Sequence, residues 1–213
     1  MPTFAYCGTE GNAVVALEMS SEGTFDQKQR FELPSAHAGT TASFVVRHPA
    51  GRHLYALAAH WDKAPGEIMV LDIGPDGLLS LAEEQSSIPS GGHQPSHAVL
   101  SGADFMLVSH LLSGSIGIFN IQASKGFAGR PQLMTQVALP DRRPPVESLL
   151  PPPPAWLLAT PLRLLVRDAS KFVAPADGEL APMAHGLALA PDGDFLVACD
   201  IGQGVLVSYP FEQ

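Results

Sequence analysis

Imidazole is the side chain best matched to proton transfer near pH 7, and the sequence carries eight histidines in 213 residues. His97 has the most suggestive setting. It ends the run Gly91-Gly92-His93-Gln94-Pro95-Ser96-His97 and stands at the lip of the apolar strand Ala98-Val99-Leu100. His93 and His97 invite a metal reading, but the intervening residues place them on a turn and a strand start rather than one helix face. No carboxylate or Cys cluster joins them, so no metal is expected. A serine nucleophile elbow needs Gly where Ser113 stands before Ser115, which argues against a serine hydrolase. No phosphate-binding loop or dinucleotide glycine fingerprint opens a helix, and no cofactor is expected.

These residues need strands to position them. From Gly91 to Ile121 the chain reads as a meander: Ala98 to Leu100, then Phe105 to Val108, then Ile116 to Phe119, separated by Gly, Asp and Ser. No apolar period of 3.6 survives such turns, so the unit is antiparallel sheet. It recurs. Upstream, Phe44-Val45-Val46 is followed by a His48-Pro49-Ala50-Gly51 turn, Leu54 to Leu57 and Ile68 to Leu71. Downstream, His185 to Leu189 is followed by a Pro191-Asp192-Gly193 turn, Phe195 to Ala198 and Val205 to Val207. The matching Leu54, Phe105 and Phe195 recur at intervals of about 50 and about 90 residues, one and two periods of a four-stranded propeller blade. The fold class expected is all-β: a β-propeller of four-stranded antiparallel blades, with four to five blades present.

In chain order, Phe4 to Cys7 and Ala13 to Leu17 form a hairpin, and Thr24 to Phe31 an outer edge strand whose charges discourage edge pairing. This is a partial first blade that implies a closing partner elsewhere. The second blade spans about Phe44 to Glu83, with Leu78 to Ala82 outermost. The third begins at His97, with Gln132 to Val137 outermost. From Pro140 the pattern fails: Pro151 to Pro154 cannot donate to a ladder and favour an extended conformation. We read residues 1–213 as one propeller-like domain with a Pro-rich insertion at about 140–180. That insertion either packs Trp156 and its Leu neighbours on the sheet or serves as a lid or partner site.

Composition sets the outer bounds. An apolar content of 46% rules out a disordered chain, and twenty Gly and twenty Pro with 15% charged residues suit strands and tight turns. A net charge of −9 excludes a nucleic-acid groove or a polybasic membrane surface. The amino terminus lacks a signal-peptide pattern and no apolar run reaches bilayer length, so a cytoplasmic location is expected. Cys7 and Cys199, at the ends of apolar strand runs, are expected to be buried free thiols.

Gly92-His93-Gln94-Pro95-Ser96-His97, with Val108-Ser109-His110 and Gly114 to Phe119 behind it, resembles the blade signature of the seven-bladed propeller lactonases. That family includes 6-phosphogluconolactonases and carboxymuconate cyclases. His185 to Tyr209, with Pro191-Asp192-Gly193 and Asp200-Ile201-Gly202, is similar to the next blade. The resemblance implies a site on the top face built from a His, here His97, and from an Arg and a Glu on a loop running into a Pro-His-x-His pair. Pro140-Asp141-Arg142 matches the head of that loop and Glu179, Pro182 and His185 its tail, with Met183 in place of the first His and the Pro-rich segment between.

In those terms His97 or His185 is the base that activates water, and Glu179 orients it or shares that duty. Arg142, with Arg143 beside it, holds the substrate's anion in the bidentate manner of a guanidinium, and His93 joins Arg143 as a substrate-binding residue. The expected ligand is an anionic sugar or muconate lactone. The alternative is a catalytically inert propeller that acts as a binding module. Seven blades need more chain than 213 residues supply, so the sequence represents either a shortened member or an open sheet that a partner closes. Open blade edges imply oligomerisation.

Overall fold

The structure, a computed structural model, describes residues 2–35, 37, 39–62, 64–83, 86–121, 131–139 and 181–210. The expected Pro-rich insertion, with Trp156, lies outside the described residues. Fifteen strands and no helix occur among those described, arranged in four antiparallel sheets. The first holds β1 (Thr3–Gly8), β2 (Ala13–Met19) and β3 (Phe25–Glu32). The second holds β4 (Thr40–Arg47), β5 (His53–His60), β6 (Pro65–Ile73), β7 (Leu79–Leu81) and β8 (Ser87–His93). The third holds β9 (Pro95–Ser101), β10 (Phe105–His110), β11 (Ser115–Asn120) and β12 (Gln132–Ala138). The fourth holds β13 (Ala184–Leu189), β14 (Phe195–Asp200) and β15 (Val205–Pro210). This is the blade architecture of a propeller.

Successive sheets face one another through three apolar slabs. Val14, Leu54, Ala56 and Leu71 pack between the first and second sheets. Tyr55, Leu57, Val70, Met106, Val108 and Phe119 fill the space between the second and third. Leu107, Ile116, Leu187 and Leu196 lie between the third and fourth. Because alternate residues of a strand point to opposite faces, β5 and β10 serve one slab with each parity and read as nearly continuous apolar runs. This is the signature of strands covered on both sides. Cys7 and Cys199 are free thiols, but Cys7 is exposed and Cys199 only half-buried, contrary to the expectation of burial. Cys7 sits on the face of the first sheet turned away from the slab it shares with the second.

β4, β9 and β13 are the inner strands, side by side across successive sheets. β1 takes a different place: it lies against β4 as β5 lies against β9 and β10 against β13. It therefore occupies the second-strand position of its blade, with no strand inside it among the described residues. Gly77 joins this first sheet to the second. Its φ is +77°, and a Cβ there would overlap the Phe4 ring, while its carbonyl accepts the Tyr6 hydroxyl at 2.9 Å.

One device recurs at the top rim. The last residues of β5, β10 and β14 are His60, His110 and Asp200, all fully buried polar side chains. Each is bonded to the chain leading into an inner strand. His60 Nδ1 meets Thr40 Oγ1 at 2.9 Å. His110 Nε2 donates to the Ser90 carbonyl at 2.7 Å, and Asp200 accepts the Met183 amide at 2.9 Å.

Candidate active site

His97 lies in β9 and His185 in β13, neighbouring inner strands, each near its top end. A register shift interrupts the pairing of each: opposite Ser109/His110 for β9 and between Ala184 and Leu187 for β13. Such bulges re-aim the side chains around them. Gln94, just before β9, holds a left-handed φ of 50°, rare for a residue with a side chain. Its carbonyl accepts the Leu111 amide at 2.9 Å and that of His93 accepts Leu112 at 3.3 Å, which fixes the lead-in to His97.

The two histidines share an environment. The His97 ring packs on Phe44 of β4 with centroids 4.3 Å apart. Burial pushes its pKa below the ordinary imidazole value, and the charge of His185 pushes it further. His185 is lowered by burial as well, so both rings are neutral at pH 7. The Leu187 amide donates to His97 Nδ1 at 3.4 Å, so in the neutral ring the proton sits on Nε2. His97 thus offers a donor rather than a lone pair, which leaves His185 as the ring able to take a proton.

Two serines outside the expected residue set tie these strands together. Ser109, fully buried in β10, donates its hydroxyl to the His185 carbonyl and lies 3.3 Å from the His97 carbonyl. Ser96 reaches the carbonyls of Ala184 at 3.2 Å and His185 at 3.3 Å. A signal for Ser109 was available: its counterparts before the buried rim residues are Ala59 and Cys199, so a hydroxyl stands where the other blades place weakly polar or apolar side chains.

His93 ends β8 and makes no part of this pair. Its amide donates to Ser113 Oγ at 2.7 Å, and its charge acts on His110. The expected Arg142, Arg143 and Glu179 lie outside the described residues. Among those described, no group of three His, Cys, Asp or Glu side chains is placed to hold a metal ion, and no helix is long and apolar enough to cross a membrane.

The model of the family described as the lactonase, 7-bladed beta-propeller, matches residues 5–213. The chain belongs to the seven-bladed β-propeller lactonase family. Solved structures of like fold are distant in sequence. The periplasmic gluconolactonase of Pseudomonas aeruginosa superposes with a TM-score of 0.66 at 19% identity, over 99% of this chain and 50% of that one. A protein of Lactobacillus plantarum gives 0.64 at 16%, over 96% and 49%. A 6-phosphogluconolactonase candidate from Bacteroides fragilis gives 0.58 at 13%, over 94% and 51%. This lactonase-family chain thus spans about half the length of the structures it matches. Among curated proteins none matches its sequence.

Proposed function

We propose that this chain hydrolyses a sugar lactone at the top ends of β9 and β13. The observation that carries the reading is the pairing of His97 and His185 on neighbouring inner strands, half-buried and neutral, with His97 held in one tautomer by Leu187. His185 takes a proton from water as its oxygen attacks the lactone carbonyl carbon. His97 Nε2–H donates to the carbonyl oxygen as negative charge gathers there. When the ring C–O bond breaks, the proton held by His185 passes to the departing alkoxide, giving the open-chain hydroxy acid and restoring both rings. A positioned acid–base group contributes about 10²- to 10⁴-fold, and an oriented donor to an oxyanion a comparable amount.

An anionic lactone, sugar-derived or muconate, is the substrate class. Arg142 and Arg143 supply its clamp and Glu179 orients the base, as the family resemblance implies. A cytoplasmic location goes with this reading, although the P. aeruginosa structure is that of a periplasmic protein. Fractionation of the native host decides between the compartments.

The test is hydrolysis of 6-phosphogluconolactone and glucono-δ-lactone by the purified chain, corrected for spontaneous opening, beside His97→Ala and His185→Ala. Turnover above background that falls at least ~10²-fold in both variants supports the proposal. Rates equal to background for the unaltered chain would overturn it and favour the binding-module alternative.

A further inference from the structure

On the same rim, two adjoining hollows flank Trp61. One, of about 540 Å³, is bounded by Gly8, Thr9, Glu10, Thr41, Ser43 and Trp61. The other, of about 360 Å³, adds Asn12, His37 and Thr40. Volumes of this order suit a small ligand. Trp61 is 63% exposed, although a ring of its size is ordinarily covered. An added Cβ at Gly39 would lie 3.4 Å from the Trp61 Cβ, 3.8 Å from Cδ1 and 4.0 Å from Cγ, so Gly39 borders the pyrrole end of the ring.

The polar groups lining the hollows are mostly hydroxyl and carboxylate oxygens, with the Asn12 amide and the His37 ring beside them. Asp62 follows Trp61 but lines neither hollow; its carboxylate accepts the Ala64 amide at 3.0 Å and lies 3.3 Å from Nδ1 of His37, which does line one. Glu10 is exposed and lines both hollows. Thr9 and Ser43 spend their hydroxyl protons on backbone carbonyls, so their remaining lone pairs accept. The Glu10 carboxylate, with no Lys or Arg beside it in the lining of either hollow among the described residues, disfavours an anion. An open aromatic plate ringed by acceptors instead suits a ring with C–H bonds on one face and hydroxyl donors at its edge, because the negative face of the indole attracts the weakly positive C–H groups and charged acceptors make the stronger hydrogen bonds to O–H.

We propose that the Trp61 groove binds a neutral, hydroxyl-rich sugar ring, stacked on the indole and hydrogen-bonded through Glu10 and Asn12. This site goes beyond the hydrolytic reading and stands or falls without it, since its readout is binding rather than turnover. A single aromatic plate also attracts a quaternary ammonium group, but the hydroxyl lining and the absence of a second Trp, Tyr or Phe in it among the described residues favour the sugar.

The chain has two tryptophans, so the full-length protein carrying Trp156→Phe reports on Trp61 alone. Methyl β-D-glucopyranoside is expected to quench and shift its emission saturably, while choline and 6-phosphogluconate at equal concentration do not. Glu10→Gln in the same background should weaken the sugar about tenfold, the loss of one charge-assisted hydrogen bond. By calorimetry, Trp61→Ala in the otherwise unaltered chain should abolish the heat of binding, with far-UV circular dichroism confirming the fold. The absence of a saturable sugar response, a response to choline instead, or heats unchanged in Trp61→Ala would each overturn the proposal.

Discussion

Lowering the pH from 7 to 4.5 should destabilise the protein through His110. Its ring is fully buried. Nε2–H donates to the Ser90 carbonyl at 2.7 Å, and Nδ1 lies 3.3 Å from Ser115 Oγ, itself taking a proton from Gln136 Nε2 at 2.6 Å. Every hydrogen-bonding position is filled with the ring neutral, and burial pushes its pKa down from 6.5 to about 4. A folded value below the unfolded one means that stability is intact above about pH 6.5 and is lost as the pH falls toward 4, because the unfolded chain takes up the proton first. At pH 4.5 the loss from this one group is roughly 2.5 kcal/mol, since each tenfold difference in proton affinity between the folded and unfolded chain is worth about 1.36 kcal/mol. The assay is urea unfolding followed by circular dichroism at both pH values, for the unaltered chain and for His110→Gln. The glutamine variant starts less stable at pH 7, by about 1–3 kcal/mol for the disturbed buried bonds. Its further loss on acidification should be smaller than that of the unaltered chain by the roughly 2.5 kcal/mol assigned to His110. Other histidines and carboxylates cancel in that difference, His93 excepted, since its charge acts on His110. Parallel pH dependence in the two proteins would refute the reasoning.

Three further outcomes are expected. Gly77→Ala should cost about 2–4 kcal/mol in chemical unfolding, from a left-handed φ that Ala resists and from overlap with the Phe4 ring. Ser109→Ala should lower stability by about 1 kcal/mol and reduce kcat through misplacement of His185 while leaving the pH profile in place, whereas a purely structural role would leave kcat per folded molecule untouched. The acid limb of kcat/KM should fall below the ordinary histidine value of 6.5, because His185 is depressed by burial and must be neutral to accept a proton; a limb at or above 6.5 in a pH–rate profile would count against that assignment.

Much of the scaffold was legible in the sequence because turns carry explicit chemistry. Pro49-Ala50-Gly51, Pro75-Asp76-Gly77 and Pro191-Asp192-Gly193 each deliver a glycine with positive φ between two apolar runs, and the strands fall where those turns put them. β8 was not legible. Ser87-Ile88-Pro89-Ser90-Gly91-Gly92-His93 reads as a loop, since Pro and paired Gly weaken strands, yet it pairs with the free edge of β6 beyond the reach of the short β7. A proline is tolerated there because the edge asks nothing of its missing N–H. Gly92 has its own reason: a Cβ would lie 2.5 Å from the His110 ring, a contact between residues that no local pattern relates.

Of the candidate site, the two histidines were legible as strand-lip residues, and they do fall on adjacent inner strands. Their division of labour was not, because it depends on which nitrogen receives the Leu187 amide, a contact across two strands. The acidic, aromatic rim around Trp61 gave no signal in the sequence for a related reason: Glu10, Thr41 and Trp61 meet only when the first sheet stands beside the second.

The buried residues His60, His110 and Asp200 have a consequence for how such a rim can change over evolution. Each fastens the start of an inner strand to the end of its neighbour from beneath, so the turns above carry little responsibility for holding the blade together. The segment after Trp61 is then the freest to be exchanged, lengthened or recharged without reopening the sheets that support it, whereas the one after Leu111 also holds the lead-in to His97 through Leu112 and Ser113.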